Sequence, residues 1–166
     1  MRIILILLFF CFLCPELYSQ SEPSLSATEF NIISGSWNGE ITYKDYSSGK
    51  SFSMPADVTI RQIGTSKNFI FFNSYPKEPN ANSYDTVSIS EDGKMLNSEM
   101  ISVKNAFPNG DIEIITEVSG IDGNDNMPAV IRHTYLLGKN IFSKRKDVKF
   151  SEEAGWINRN LFTYSR

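Results

Sequence analysis

The chain has 166 residues, a net charge of −3 and 21% charged residues. This length fits one domain. The mild acidity argues against a nucleic-acid-binding protein, because phosphate binding needs a concentrated basic face. Cys11 and Cys14 are the two cysteines of the sequence, and both precede the predicted domain. Thiol catalysis, thiolate metal sites and disulfides are therefore excluded within it.

Residues 1–20 have the pattern of a secretory signal peptide. Arg2 supplies the positive charge, and positions 3–13 are unbroken apolar sequence. That run is shorter than the roughly 20 apolar residues that a membrane-spanning helix needs. Neither cysteine follows the small residue that lipid acylation requires. We therefore expect cleavage near Ser19 or Gln20 and an exported protein, secreted or periplasmic, with no stable membrane anchor.

Residues 21–29 are small and polar and are predicted to form a flexible lead-in to the domain. Ser26 or Thr28 can cap a brief helix that carries Phe30 and ends before Gly35. This is the one helix that the sequence predicts.

From residue 35 onwards the apolar residues alternate with period two, which is typical of β-strands. Pro55 lies on the polar side of the second strand and predicts a kink or an edge there. The strands after the first are predicted at 51–61, 68–75, 84–89, 94–103, 111–118, 128–138, 140–149 and 156–165. Short turns rich in Gly, Asn and Asp join them.

Regularly spaced strands with short turns predict an all-β fold. We expect an antiparallel up-and-down β-barrel of about 8–10 strands with a short N-terminal helix, over residues 30–166. Closure into a barrel is favoured because it removes the exposed edges of an open meander.

Gly35, Ser36 and Trp37, at the start of the first strand, resemble the Gly-x-Trp signature of the lipocalins and of the wider calycin group of barrels. In that group the Trp plugs one end of the barrel, and an Arg near the end of the last strand packs across its face. With an even strand count the first and last strands are antiparallel neighbours. The resemblance therefore implies that Trp37 and Arg166 form the base, with Arg159 half way along the wall. The late turn motif and the disulfide of many lipocalins have no counterpart in this sequence.

The resemblance implies a barrel that binds a small hydrophobic molecule in its interior, without chemistry. Pocket linings and packed cores share an apolar composition, so a solid barrel that serves as a structural or protein-interaction module is the alternative. The sequence does not indicate which protein such a module would contact, so that protein partner is unknown. The residues predicted to contact the ligand lie on the inward faces of their strands: Ile41, Tyr43, Val58, Phe69, Phe71, His133 and Tyr135.

His133 is the one histidine of the sequence and alternates with apolar neighbours, which places it on the inward face. A related barrel family binds haem through one histidine, but the longer Gly-rich signature of those relatives is missing after Trp37. A lone His also brings no second protein donor, so no cofactor and no metal is expected. A barrel enzyme that uses His133 and Tyr135 is a third reading. No nucleophile elbow supports it, and no catalytic residue is assigned.

Three polar features of the sequence have alternative interpretations. Residues 122–126 imitate the first half of a calcium loop, but Met127 stands where that loop needs Gly, so a hairpin turn is predicted. Residues 144–146 are a basic run that alternation splits across two faces, and a solvated barrel wall is favoured over an anion site. Glu99 could face inward, but its strand alternates too poorly to decide.

Overall fold

The computed structural model describes residues 22–45, 48–123, 126–151 and 155–166. The predicted signal segment lies outside these ranges. No helix within them is long and apolar enough to span a membrane.

The described residues form one short α-helix, two 3-10 turns and eleven strands. The helix α1 covers Ala27–Phe30, and the 3-10 turns cover Asn31–Ile33 and Pro79–Ala81. The strands are β1 (Gly35–Lys44), β2 (Ser51–Pro55), β3 (Asp57–Gln62), β4 (Asn68–Ser74), β5 (Ser83–Ser88), β6 (Met95–Leu96), β7 (Glu99–Ala106), β8 (Ile112–Asp122), β9 (Met127–Leu137), β10 (Ile141–Phe150) and β11 (Ile157–Ser165).

The predicted N-terminal helix is confirmed, and Ser26 is its cap. Its hydroxyl accepts a hydrogen bond from the Glu29 N–H, while the Glu29 carboxylate accepts one from the Ser26 N–H. This reciprocal pair satisfies two of the free N–H groups at the helix start. Before the helix, Leu25 is buried, and its N–H donates to the Gly93 carbonyl.

The strands form a nearly closed antiparallel barrel, as the sequence predicts. Neighbouring strands follow the order β5, β4, β3, β1, β11, β10, β9, β8, β7, β6. A bridge between Ile89 and Leu96 and a hydrogen bond from Asn97 N–H to the Ser88 carbonyl join β5 to β6. If β2 and β3 are counted as one kinked strand, ten strands surround the interior. The count is even, so β1 and β11 are antiparallel neighbours.

The second predicted strand is interrupted directly after Pro55, where the sequence predicts a kink or an edge. β1 pairs with β2 over residues 40–44 and with β3 over residues 35–37, and the break falls at Ala56. Gly39 lies opposite this break, where a Cβ atom would overlap the Thr163 carbonyl oxygen and the Tyr164 ring. Only glycine lets β11 approach β1 so closely.

The single strand predicted over residues 94–103 is wrong, because the chain reverses at Asn97 and Ser98. Both residues adopt left-handed backbone angles, with φ of 51° and 65°. The Asn97 side chain also accepts a hydrogen bond from the Ser88 N–H, so it holds the turn against β5. Asparagine tolerates this conformation better than most residues, which makes a turn possible without glycine.

Trp37 and the first 3-10 turn, Asn31–Ile33, close one end of the barrel, which we call the base. The Trp37 side chain is 2% exposed, and its Nε1 donates to the Ile33 carbonyl at 2.8 Å. The guanidinium carbon of Arg166 lies 4.1 Å from the Trp37 ring centroid. That guanidinium also donates to the carbonyls of Ile32, Ser34 and Lys139. The Arg166 side chain thereby links the last strand to the 3-10 turn at Asn31–Ile33, which precedes Trp37.

Replacing Trp37 by Ala should lower the free energy of unfolding by about 3–5 kcal/mol, as for a buried aromatic residue. The variant loses the ring packing, the Nε1 hydrogen bond and the face on which Arg166 stacks. Urea unfolding monitored by circular dichroism measures the loss. Trp156→Ala is the matched control, since this half-buried ring stacks against Arg132 on the barrel wall, and it should cost less. A loss below about 1 kcal/mol for Trp37→Ala would contradict its role in the base.

Candidate ligand-binding site

A cavity of about 340 Å³ lies inside the barrel, between the wall formed by β4 and β5 and the wall formed by β9, β10 and β11. Its deep part is formed by buried side chains, mostly aromatic: Phe71, Val87, Tyr135, Phe142 and Tyr164. Its other lining residues are Asn73, Tyr75, Asp85, Thr86, Asn97, Lys144 and Phe162.

Strand register explains why these side chains meet. Directly opposed residues of antiparallel neighbours point to the same face of a sheet. Phe142 of β10 lies opposite Tyr164 of β11. Two residues further along, Lys144 lies opposite both Phe162 of β11 and Tyr135 of β9. Alternation therefore turns these side chains into the interior.

Lys144 lies within the cavity, and not in the solvated outer wall that the sequence favours. Its Nζ is 5.9 Å from the Tyr135 ring centroid. Among the described residues, no carboxylate oxygen comes within 4 Å of this ammonium group. Burial lowers the pKa of Lys144, although the charges of Glu99 and Asp85 oppose that shift.

The phenols beside the cavity remain hydrogen-bond donors at any ordinary pH. Burial raises the pKa of Tyr135 well above its usual value, and the charge of Glu99 adds to the shift. Burial likewise raises the pKa of Tyr164. The lining of the cavity therefore combines aromatic surface with an ammonium group and protonated hydroxyls.

Glu99 faces the interior and forms a polar cluster with His133 and Thr116. Its Oε2 atom accepts hydrogen bonds from the Thr116 hydroxyl and from His133 Nδ1, the latter at 2.8 Å. An ionised carboxylate can only accept, so Nδ1 carries the proton. Burial disfavours the charged form of Glu99, but the two hydrogen bonds, together with the electrostatic effect of His133 and Lys144, outweigh it and lower the pKa of this carboxyl. No group of three metal-ligating side chains occurs in the ranges that the structure describes.

Asp122 organises a second interior cluster that sequence reasoning did not find. Its two carboxylate oxygens accept from Lys146 Nζ at 2.6 Å and from Arg159 Nε at 2.8 Å. A bulge between Lys146 and Asp147 shifts the register against β11, and Arg159 lies at this irregularity with its side chain on the inner side. The sequence predicts Asp122 in a hairpin turn, whereas in the structure it ends β8. Positions 124 and 125 of that turn lie outside the described residues.

Of the residues predicted to contact a ligand, Phe71 and Tyr135 line the cavity. Val58 and Phe69 instead belong to the packed core, where the Phe69 ring lies 4.8 Å from that of Phe30. Helix α1 thus fills the interior next to the base and leaves the cavity beyond it.

The other three predicted contact residues lie on inner faces but outside the cavity lining. Ile41 is paired with Phe162 across β1 and β11, and the Tyr43 ring packs at 5.4 Å from that of Phe52. His133 belongs to the cluster around Glu99. Lining residues that sequence reasoning missed include Phe142 and Phe162, which the alternation of the last two strands already places on one face.

A second concavity, of about 360 Å³, lies at the far end of β8, β9 and β10. It is slightly larger than the first one, but Val130 and Pro128 of its lining face outward by alternation. It is a shallow depression open to solvent. The cavity beside Lys144 is less open to solvent and has buried aromatic lining, and it is therefore the better candidate for a binding site.

Acid should remove the contribution of Glu99 to stability. Because its pKa is lowered below the ordinary 4.5, the unfolded state binds more protons in that range. The stabilisation is therefore complete above about pH 4.5 and is lost as the pH falls through the lower pKa of the folded state. The difference in unfolding free energy between wild type and Glu99→Gln should shrink from about pH 6 to about pH 3, as measured by urea unfolding.

The same comparison in a Thr116→Val background provides the control for Glu99. This change removes one of the two hydrogen-bond donors to Glu99, so the effect of Glu99→Gln on the unfolding free energy should depend less on pH than it does in wild type. A difference that instead grows towards low pH would mean that burial raises the pKa of Glu99.

Comparison with known proteins supports the fold. No family model matches the chain, and no curated protein matches it in sequence. Among solved structures the chain is similar to the crystal structure of Rv2717c from M. tuberculosis, with 11% sequence identity and a TM-score of 0.50. The similarity covers 87% of this chain and 99% of that chain. At this identity the likeness shows a shared barrel architecture and nothing finer.

Proposed function

We propose that this chain is an exported, lipocalin-like barrel that binds a small, largely apolar molecule in its interior and carries out no chemistry on it. The observation that carries the proposal is the interior cavity of about 340 Å³, whose deep part is lined by buried, mostly aromatic side chains. A barrel packed solid, the alternative reading of the sequence, would leave no such space. The stacking of Arg166 on Trp37 supports the lipocalin-like part of the proposal.

The cavity volume indicates the size of the ligand. Small-molecule sites span about 300–1,000 Å³, so this cavity lies at the lower end. An engineered cavity of about 150 Å³ accepts benzene. Roughly twice that volume suits two fused rings or a short, folded aliphatic chain. Phe71 and Phe142, whose ring centroids are 6.2 Å apart, offer faces for a flat apolar body.

A fused two-ring probe should bind in this cavity. 2-Naphthamide, which is uncharged, is expected to bind with a dissociation constant below about 1 mM in isothermal titration calorimetry. Val87→Phe places a ring in the cavity from the β5 wall and should abolish binding. Val130→Phe, the same change on the outer surface, should leave binding intact. Binding that survives Val87→Phe, or that is lost in Val130→Phe instead, would place the ligand elsewhere and contradict the proposal.

Export is the second part of the proposal and is supported by the apolar run at positions 3–13. When the full chain is produced in a bacterial host, mass spectrometry of the exported protein should find residues 1–19 or 1–20 removed. Leu7→Arg interrupts the apolar run and should leave the uncleaved precursor in the cytoplasm, whereas Leu7→Ile should be processed normally. Equal processing of both variants would contradict export by this segment.

A further inference from the structure

The charges inside the barrel do not balance. Three cationic side chains on β10 and β11 face inward, namely Lys144, Lys146 and Arg159. Two carboxylates of the described interior face them, Glu99 on β7 and Asp122 on β8.

Both carboxylates have other partners. Asp122 binds Lys146 and Arg159 together. Glu99 is held by His133 and Thr116. Lys144 is therefore the interior cation that no described carboxylate contacts within 4 Å. Burying a charge without a partner is costly, and proteins ordinarily pair such a group.

Asp85 is the remaining carboxylate beside the cavity, and it does not fill this role. It is exposed at the mouth, where water screens its charge. Its Oδ2 accepts a hydrogen bond from Asn73 Nδ2 at 2.7 Å. Lys144 is half-buried in the same lining, opposite Tyr135 and Phe162, whereas Asp85 is exposed.

We propose that Lys144 selects a ligand with a single carboxylate group on an apolar body, and that this carboxylate is the missing partner of the ammonium group. The inference rests on the proposed function, since it describes recognition in the same cavity. A monoanion matches the one uncompensated charge. The phenol of Tyr135, which remains protonated, offers a second donor beside the ammonium group. The aromatic deep part of the cavity would hold the rest of the molecule.

The test compares two probes that differ in charge and hardly in shape. 2-Naphthoate is an anion at neutral pH, whereas 2-naphthamide is its uncharged isostere. Because hydrogen bonds between charged groups are stronger than neutral ones, wild type should bind the naphthoate about tenfold to a hundredfold more tightly. Calorimetric titration of both probes at pH 7 and low salt measures the ratio.

Lys144→Met keeps the unbranched side chain and removes the charge. This variant should bind 2-naphthamide as wild type does, which also shows that its cavity is intact, and should lose the preference for 2-naphthoate. Lys67→Met is the matched control, since Lys67 pairs with Glu91 on the surface, and it should keep the full preference.

The outcomes separate this inference from the proposed function. If both probes bind wild type equally, or if Lys144→Met retains the preference, carboxylate selection by Lys144 is overturned while the binding function stands. If neither probe binds, the proposed function itself fails. A ratio near one in wild type overturns the inference even if Lys144→Met does not fold.

Discussion

The pairing of the first strand with the last one is the constraint on which the rest of this structure depends. β1 runs antiparallel to β11 from Asn38 to Tyr43, and this contact turns a meander of neighbouring hairpins into a barrel with an interior. It requires glycine at position 39, where any side chain would collide with β11. It also carries Arg166 to the base, where the guanidinium lies over Trp37 and binds the carbonyls around it.

The interior that this closure creates is divided in two. Next to the base, α1 and the 3-10 turn insert Phe30 and Ile33, which are fully buried and pack with Phe69. Farther along, the inward positions carry charged and polar groups that form two hydrogen-bonded clusters across strands. One is centred on Glu99 and the other on Asp122. The cavity lies between the apolar plug and these polar clusters. That position explains why the cavity has a mixed apolar and polar lining, and this lining supports the proposal of an amphipathic ligand.

Buried charges of this kind are expensive unless their partners are fixed in place. A barrel wall supplies such fixation, because opposed residues are held by the backbone ladder. Asp122 thus reaches two cations on different strands, Lys146 on β10 and Arg159 on β11. Lys144 departs from this pattern, since its ammonium group faces open space in the cavity.

The sequence by itself indicated the barrel, the helix capped by Ser26 and the interruption beside Pro55, because periodicity, capping and proline geometry are local properties that can be recognised from neighbouring residues. It also indicated an inward face for Tyr135 and Phe71. It did not determine the turn at Asn97, since the reversal there uses no glycine and residues 94–103 therefore carry no local turn signal. Nor did it reveal which inward residues line space and which fill it. That distinction, and the partners of Lys144, Glu99 and Asp122, were decided by the tertiary structure. They depend on register and on the bulge beside Lys146, where a shift of one residue changes which side chains meet across the interior.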